Sequence, residues 1–269
     1  MSILSGIVII LLLFGLSLLF PFLSFLIPVY KFRKVWGLSL REKVVINAAP
    51  VIVIGVFMPQ LLFFYIGLFC VVEFLYAKLR DRNWKTFDKI VVVSLAASIG
   101  LVLGSSFAVR YVTGNEELLK TISALLKVDP EKFAILIGEG TKSLISAMFL
   151  SAMFCTFLSY LFMEHASYLD WDISYWWLIL YIAPFFLDRF WLPGNYYIIN
   201  IKEMGLVIFA FYGMKSIYEA LCYNFPNFRY RYLFHFLSCY VTIAIPVFSF
   251  IVGGVAAFDR RVLHFRKKS

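Results

Sequence analysis

Apolar stretches long enough to cross a bilayer follow one another along almost the whole chain. The clearest clusters of positive charge fall in the links between them. A bilayer core needs about 20 apolar residues per helical crossing and leaves no backbone group unpaired, so a chain written this way folds as a bundle of helices. Hydrophobic residues fill 62% of the 269 positions and charged residues only 15%, too little polar surface to cover a water-soluble core. The expected fold class is therefore all-α, a polytopic transmembrane helical bundle of about 6–8 spans. Residues 1–269 form a single integral membrane domain, with no room for a soluble catalytic domain.

The first run, 3–30, carries Pro21 and Pro28 and is longer than one crossing needs. No basic residue precedes it and no small-residue cleavage site follows. It reads as a retained helix broken near Pro21 rather than as a signal peptide. Lys31, Arg33, Lys34, Arg41 and Lys43 come next. Runs 44–58 and 61–77 are interrupted only at Pro59-Gln60 and read as a tight helical hairpin. Lys78, Arg80, Arg82, Lys85 and Lys89 follow. The positive-inside rule places both clusters in the cytoplasm, with the N-terminus and the Pro59 turn outside. A fourth run, 90–109, presents Ala96, Gly100 and Gly104 at four-residue spacing. Such a stripe packs closely on another helix, of the same bundle or of a partner. These runs make a four-span N-terminal half, residues 1–111.

Residues 112–140 mix charges with Leu118, Leu119, Ile122, Leu125 and Leu126 at helical spacing. They read as an extracytoplasmic amphipathic connector lying on the bilayer surface. Residues 141–269 form an aromatic-rich half. It holds a span over 142–163, an acidic link with Glu164, His165, Asp170 and Asp172, and a run over 175–187 ending at Asp188-Arg189. A span over 197–222, a last run over 232–258 and the basic tail Arg260, Arg261, Arg266, Lys267 and Lys268 complete it. Eight full crossings would put that tail outside. The stretch 175–193, short and interrupted by Pro184, is accordingly read as re-entrant, leaving about seven crossings. The acidic link then falls on the cytoplasmic side, for which the sequence offers no reason. Trp171, Tyr175, Trp176, Trp177, Trp191, Tyr196 and Tyr197 read as an interfacial aromatic belt.

No catalytic signature emerges. Cys70, Cys155, Cys222 and Cys239 lie in or beside apolar runs with no metal or redox spacing, and the histidines are far apart. There is no glycine-rich phosphate loop and no G-x-S-x-G turn. No enzyme, metal or cofactor is expected. The net charge of +9 sits at helix ends, which suits anionic lipid headgroups rather than nucleic acid.

Ionisable groups at membrane depth cost about 2.5–3.5 kcal/mol each on insertion scales, so each is a functional candidate. Glu73 stands five residues before Lys78 and is expected to pair with Lys78 or Lys43, while Asn47 has the chemistry of an interhelical hydrogen bond. The densest set is Asp188, Arg189, Asn200, Lys215 and Glu219, with Lys202 and Glu203 nearby. It reads as the polar lining of a solute site, and Lys215 and Glu219 share a helix face at four-residue spacing.

The C-terminal portion also resembles the YybS-like family of multi-pass bacterial membrane proteins. The likeness rests on Trp176-Trp177, on Asn200 and Gly213 within the span NIKEMGLVIFAFYGMKS, and on Gly254, Asp259 and Phe265-Arg266-Lys267 near the end. The family in turn is distantly similar to the substrate-binding subunits of energy-coupling-factor transporters. That resemblance implies a non-catalytic subunit of the cell inner membrane, capturing a small-molecule solute and borrowing ATPase partner proteins. The alternative function is a membrane scaffold that docks other cell-envelope proteins.

Overall fold

A computed structural model describes residues 2–225, 230, 233–234, 237 and 246–258. Every regular element among them is a helix, and four helices are long and apolar enough to cross a membrane: Pro59–Leu79, Thr86–Thr113, Glu131–Met163 and Tyr196–Cys222. Cys239, the basic tail and the resemblance positions Asp259 and 265–267 lie outside the described residues, as does much of the run 232–258. The chain divides into two compact units. One comprises Met1–Lys78 and Val93–Cys155, the other Leu79–Val92 and Thr156–Ser269.

In the first unit, α1 (Ile3–Leu19) stops just before Pro21, where a 3-10 turn (Pro21–Leu23) takes over. Proline has no N–H for the helical ladder, so the long first run breaks where expected. A short α2 (Leu26–Tyr30) continues into a π-helical turn over Lys31–Val35. Next, α3 (Leu40–Phe57) opens in a capping box: the Glu42 N–H donates to Ser39 Oγ, and Glu42 Oε2 accepts from the Ser39 N–H at 2.9 Å. That satisfies two of the donors a helix start leaves open. Met58 alone links α3 to α4 (Pro59–Leu79), which contains a second π-helical turn at Ile66–Cys70. Ile10, Phe14, Ile27, Val35, Ile46, Ile54, Tyr65 and Phe69 form one buried cluster joining α1 to α4.

The small-residue stripe is used inside this unit. On α5 (Thr86–Thr113), Gly100 meets the backbone of Gly67 so closely that a Cβ built on Gly67 would lie 2.8 Å from the Gly100 Cα, and Gly104 packs on Phe63 and Phe64. The amphipathic segment is α6 (Glu116–Leu125), capped by Asn115 Oδ1 accepting from the Leu118 N–H at 3.1 Å. It ends in a Schellman closure, with the Val128 N–H on the Ser123 carbonyl and the Lys127 N–H on the Ala124 carbonyl. Lys127 takes the left-handed position there, at φ 54°. The following helix, α7 (Glu131–Met163), is 33 residues long. Within it a 3-10 turn at Thr141–Ser143 separates Pro130–Gly140 from Leu144–Met163, close to the expected span of 142–163.

In the second unit, a 3-10 turn (Tyr175–Leu178) leads into α8 (Ile179–Phe190), and α9 (Tyr196–Asn224) follows. The turn between them uses Gly194 at φ +73°, a conformation that glycine adopts without strain. Finally, α10 (Pro246–Phe258) packs on α9 with Gly213 and Gly253 in backbone contact. Trp171, expected in the belt, is instead buried, ringed edge-on by Phe157, Tyr160 and Tyr168. Trp176, Trp191 and Tyr197 are exposed.

Candidate functional site

The second unit places its polar groups at two levels of α9. At one level, Lys202 Nζ donates to Asp188 Oδ2 at 2.6 Å, and Asp188 Oδ1 accepts from the Gly194 N–H at 3.1 Å. Asn200, with 0% of its surface exposed, donates to the Tyr196 carbonyl at 2.8 Å. At the other level, Lys215 is 1% exposed and donates to Glu219 Oε2 at 2.6 Å, beside the Tyr212 ring at 5.9 Å. Asn200 and Lys215 are fifteen positions apart, about 22 Å along a helix that rises 1.5 Å per residue. The expected lining of Asp188, Arg189, Asn200, Lys215 and Glu219 is therefore not one constellation. Asp188 and Asn200 share one region and Lys215 with Glu219 another, while Arg189 is exposed.

Between these residues and the helix starts lies a network that the sequence did not point to. Asp88, in the first turn of α5, accepts from the Ser174 N–H at 2.8 Å, from the Ser174 hydroxyl at 2.6 Å and from Trp177 Nε1 at 2.9 Å. Asp172 accepts from the Tyr212 hydroxyl at 3.1 Å and pairs with Lys85 at 3.1 Å, and Lys85 also donates to the Ile173 carbonyl. The Phe87 N–H closes on the Asp172 carbonyl. The acidic link is thus tied to the second basic cluster. Lys85 neutralises Asp172 in that contact.

The same contacts set the course of the chain over 175–193. Asp172 and Tyr168 lie beside Tyr212 and Tyr218 of α9. The first residue of that helix, Tyr196, is sixteen positions earlier, about 24 Å away along its axis. The 12-residue α8 thus leads the chain from the level of the acidic link toward the start of α9.

The first unit holds one charged pair in its apolar cluster. Lys31, with 0% exposure, places Nζ 3.0 Å from Glu73 Oε2, and Glu73 keeps 18% of its side chain exposed. The partner of Glu73 is thus neither Lys78 nor Lys43. Lys31 Nζ stands 5.4 Å from the centroid of the Tyr65 ring. The buried Tyr65 hydroxyl lies beside that ammonium, which is thus shared between a carboxylate and a phenol. Asn47 bonds its own helix, donating to the Lys43 carbonyl at 3.0 Å. The cue for Lys31 was its place as the first charge after an apolar run, at the start of the π-helical turn Lys31–Val35.

Cys70 and Cys222 are half-buried and Cys155 is buried. Among the described residues no three His, Cys, Asp or Glu side chains gather as a metal-ligand set. No family model, curated protein or solved structure matches the chain.

Proposed function

We propose that this chain is a multi-pass protein of the bacterial cytoplasmic membrane that captures a small solute for transport and performs no chemistry of its own. It crosses the bilayer about 6–8 times, the four long helices being joined by α1, α3 and α10. The resemblance to YybS-like proteins, and through them to energy-coupling-factor substrate subunits, agrees with this reading and brings an ATPase partner with it. Membrane lipids surround the apolar faces.

The observation that carries the reading is Lys215: an ammonium with 1% exposure, held by a glutamate that keeps 22%, on a helix apolar enough to cross a membrane. Replacing such a pair by packed apolar residues is often neutral or stabilising, so stability alone does not call for it. A solute group that competes for Lys215 or Glu219 is the role assigned here. The scaffold alternative draws on the stripe of Ala96, Gly100 and Gly104 and on the basic loops, and of the stripe Gly100 and Gly104 are already covered by Gly67, Phe63 and Phe64 of the same chain.

The test is a thermal-shift panel of vitamins and nucleosides on the detergent-purified protein. At least one compound should stabilise the wild type, Lys215→Met should abolish that shift, and Arg189→Ala should leave it. A flat panel, or a shift that survives Lys215→Met, defeats the reading.

A further inference from the structure

The basic link before α3 and the basic end of α4 meet at one end of the first unit. Lys43 Nζ, on α3, stands 5.8 Å from the centroid of the Trp36 ring. Trp36 packs on Phe32 with ring centroids 4.8 Å apart, and Phe32 meets Tyr76 of α4 edge-on at 4.7 Å. This run of contacts holds the link 31–43 at the level of the last turn of α4, where Lys78 follows Tyr76 by two positions. Arg33, Lys34, Arg41 and Lys78 are exposed there, and Lys43 is half-buried. The carboxylates of the two segments are already engaged. Glu42 Oε2 accepts from the Ser39 hydroxyl and N–H, and Glu73 pairs with the buried Lys31. The surface left at this end is cationic.

An apolar row starts among those cations. Leu40, Val44, Ala48 and Ile52 follow one another at four-residue spacing along α3, and all four are exposed. Side chains four apart lie one above the other on a helix. From Leu40 to Ile52 the row runs about 18 Å at 1.5 Å per residue. Half of a hydrocarbon core of about 30 Å is roughly 15 Å, so the row has the length of one leaflet. Trp36 is partly exposed at the cationic end, and tryptophan rings settle at headgroup level. A soluble anion would use the cations and leave the row empty. A lipid without net charge would use the row and leave the cations unbalanced. A lipid with a net negative headgroup uses both.

We propose that this end of the first unit binds an anionic phospholipid, its phosphate drawn by Lys34, Arg41, Lys43 and Lys78 and one acyl chain laid along Leu40, Val44, Ala48 and Ile52. Each basic residue near an anionic membrane surface is worth roughly fivefold in affinity, so removing two should cost about 25-fold.

The experiment titrates the detergent-purified full chain with phosphatidylglycerol or phosphatidylcholine and reads the melting temperature. The midpoint for phosphatidylglycerol should lie about tenfold or more below that for phosphatidylcholine. Arg41→Gln/Lys43→Gln should raise the phosphatidylglycerol midpoint by about tenfold or more and leave the phosphatidylcholine midpoint in place. Lys34→Gln/Lys78→Gln, at two exposed positions, should do the same and stands in if the first pair fails to fold. Lys120→Gln/Lys132→Gln removes equal charge from exposed positions on α6 and α7 and should leave both midpoints unchanged. Glycerol 3-phosphate, which carries the phosphate without the tails, should give no shift. Equal midpoints for the two lipids overturn the proposal, as does a phosphatidylglycerol midpoint that neither site pair moves. An equal loss in Lys120→Gln/Lys132→Gln would assign the attraction to net charge, and an equal shift with glycerol 3-phosphate would assign the site to a soluble anion; either result also overturns it. The vitamin and nucleoside panel has no bearing on this result, since no residue of the Lys215 pair takes part.

Discussion

Both compact units carry a buried lysine–glutamate pair, Lys31–Glu73 in the first and Lys215–Glu219 in the second, but the second adds carboxylates of another kind. In the first, Lys31 and Glu73 pair beside a cluster of apolar and aromatic side chains, and helices approach through Gly67 and Gly100. In the second, carboxylates at the helix starts are saturated by donors. Asp88 takes three hydrogen bonds and Asp172 a hydroxyl and an ammonium. The first arrangement can be exchanged for hydrocarbon, because both partners are side chains. The second cannot, because the Ser174 donor to Asp88 includes a backbone N–H that no substitution removes.

The sharpest way to break this contrast is Lys31→Met. It leaves Glu73 partly buried without its cation and should destabilise the protein by about 3–5 kcal/mol, whereas Lys31→Met/Glu73→Leu should return to within about 1 kcal/mol of wild type. Equilibrium unfolding in mixed micelles measures both. If the double variant is as unstable as the single one, the pair is not exchangeable and the contrast fails.

A step smaller, Asp88→Leu strands the Ser174 and Trp177 donors and should cost about 2–4 kcal/mol, summing desolvation of unmet donors at roughly 1–3 kcal/mol each with partial relaxation. No apolar second-site change at Trp177 should restore it fully, since the backbone donor persists. Full recovery in Asp88→Leu/Trp177→Phe would show that the second unit behaves like the first.

Lys127→Gly relieves a lysine from the left-handed position that closes α6 and should stabilise the protein by roughly 1 kcal/mol. The melting temperature should rise; a fall would mean that the Lys127 side chain contributes more than its backbone strain removes.

The smallest effect concerns Glu42. The hydroxyl and then the N–H of Ser39 hold its carboxyl below the ordinary glutamate value. A depressed carboxyl contributes stability that is present above its unfolded-state value and is lost as pH falls through its folded value. Glu42→Gln should therefore flatten the acid limb of the stability curve below about pH 4.3 and change little at neutral pH. Melting curves across that range show the difference, and parallel acid limbs would remove the carboxylate from the account.

The sequence read the break at Pro21, the near-continuous turn at Pro59 and the close-packing role of Gly100, because each follows from a local backbone property. It misread the surroundings of Glu73 and Trp171, since a side chain's neighbours come from segments distant in the chain. Lys31 is forty-two positions from Glu73, and Lys85 is eighty-seven from Asp172. Spacing along one helix correctly joined Lys215 to Glu219, but it gathered Asn200 with them although a helix separates such positions by about 22 Å.

Composition and hydropathy by themselves determined that this chain is helical, with helices fit for a bilayer, because unpaired backbone in hydrocarbon costs several kcal/mol per group and leaves few other solutions. Which charges turn inward, which carboxylate each lysine meets and where the acidic link is fastened were decided only by the packing. The free energy of a buried ion depends on its neighbours within a few ångströms, and those neighbours are assembled by the fold.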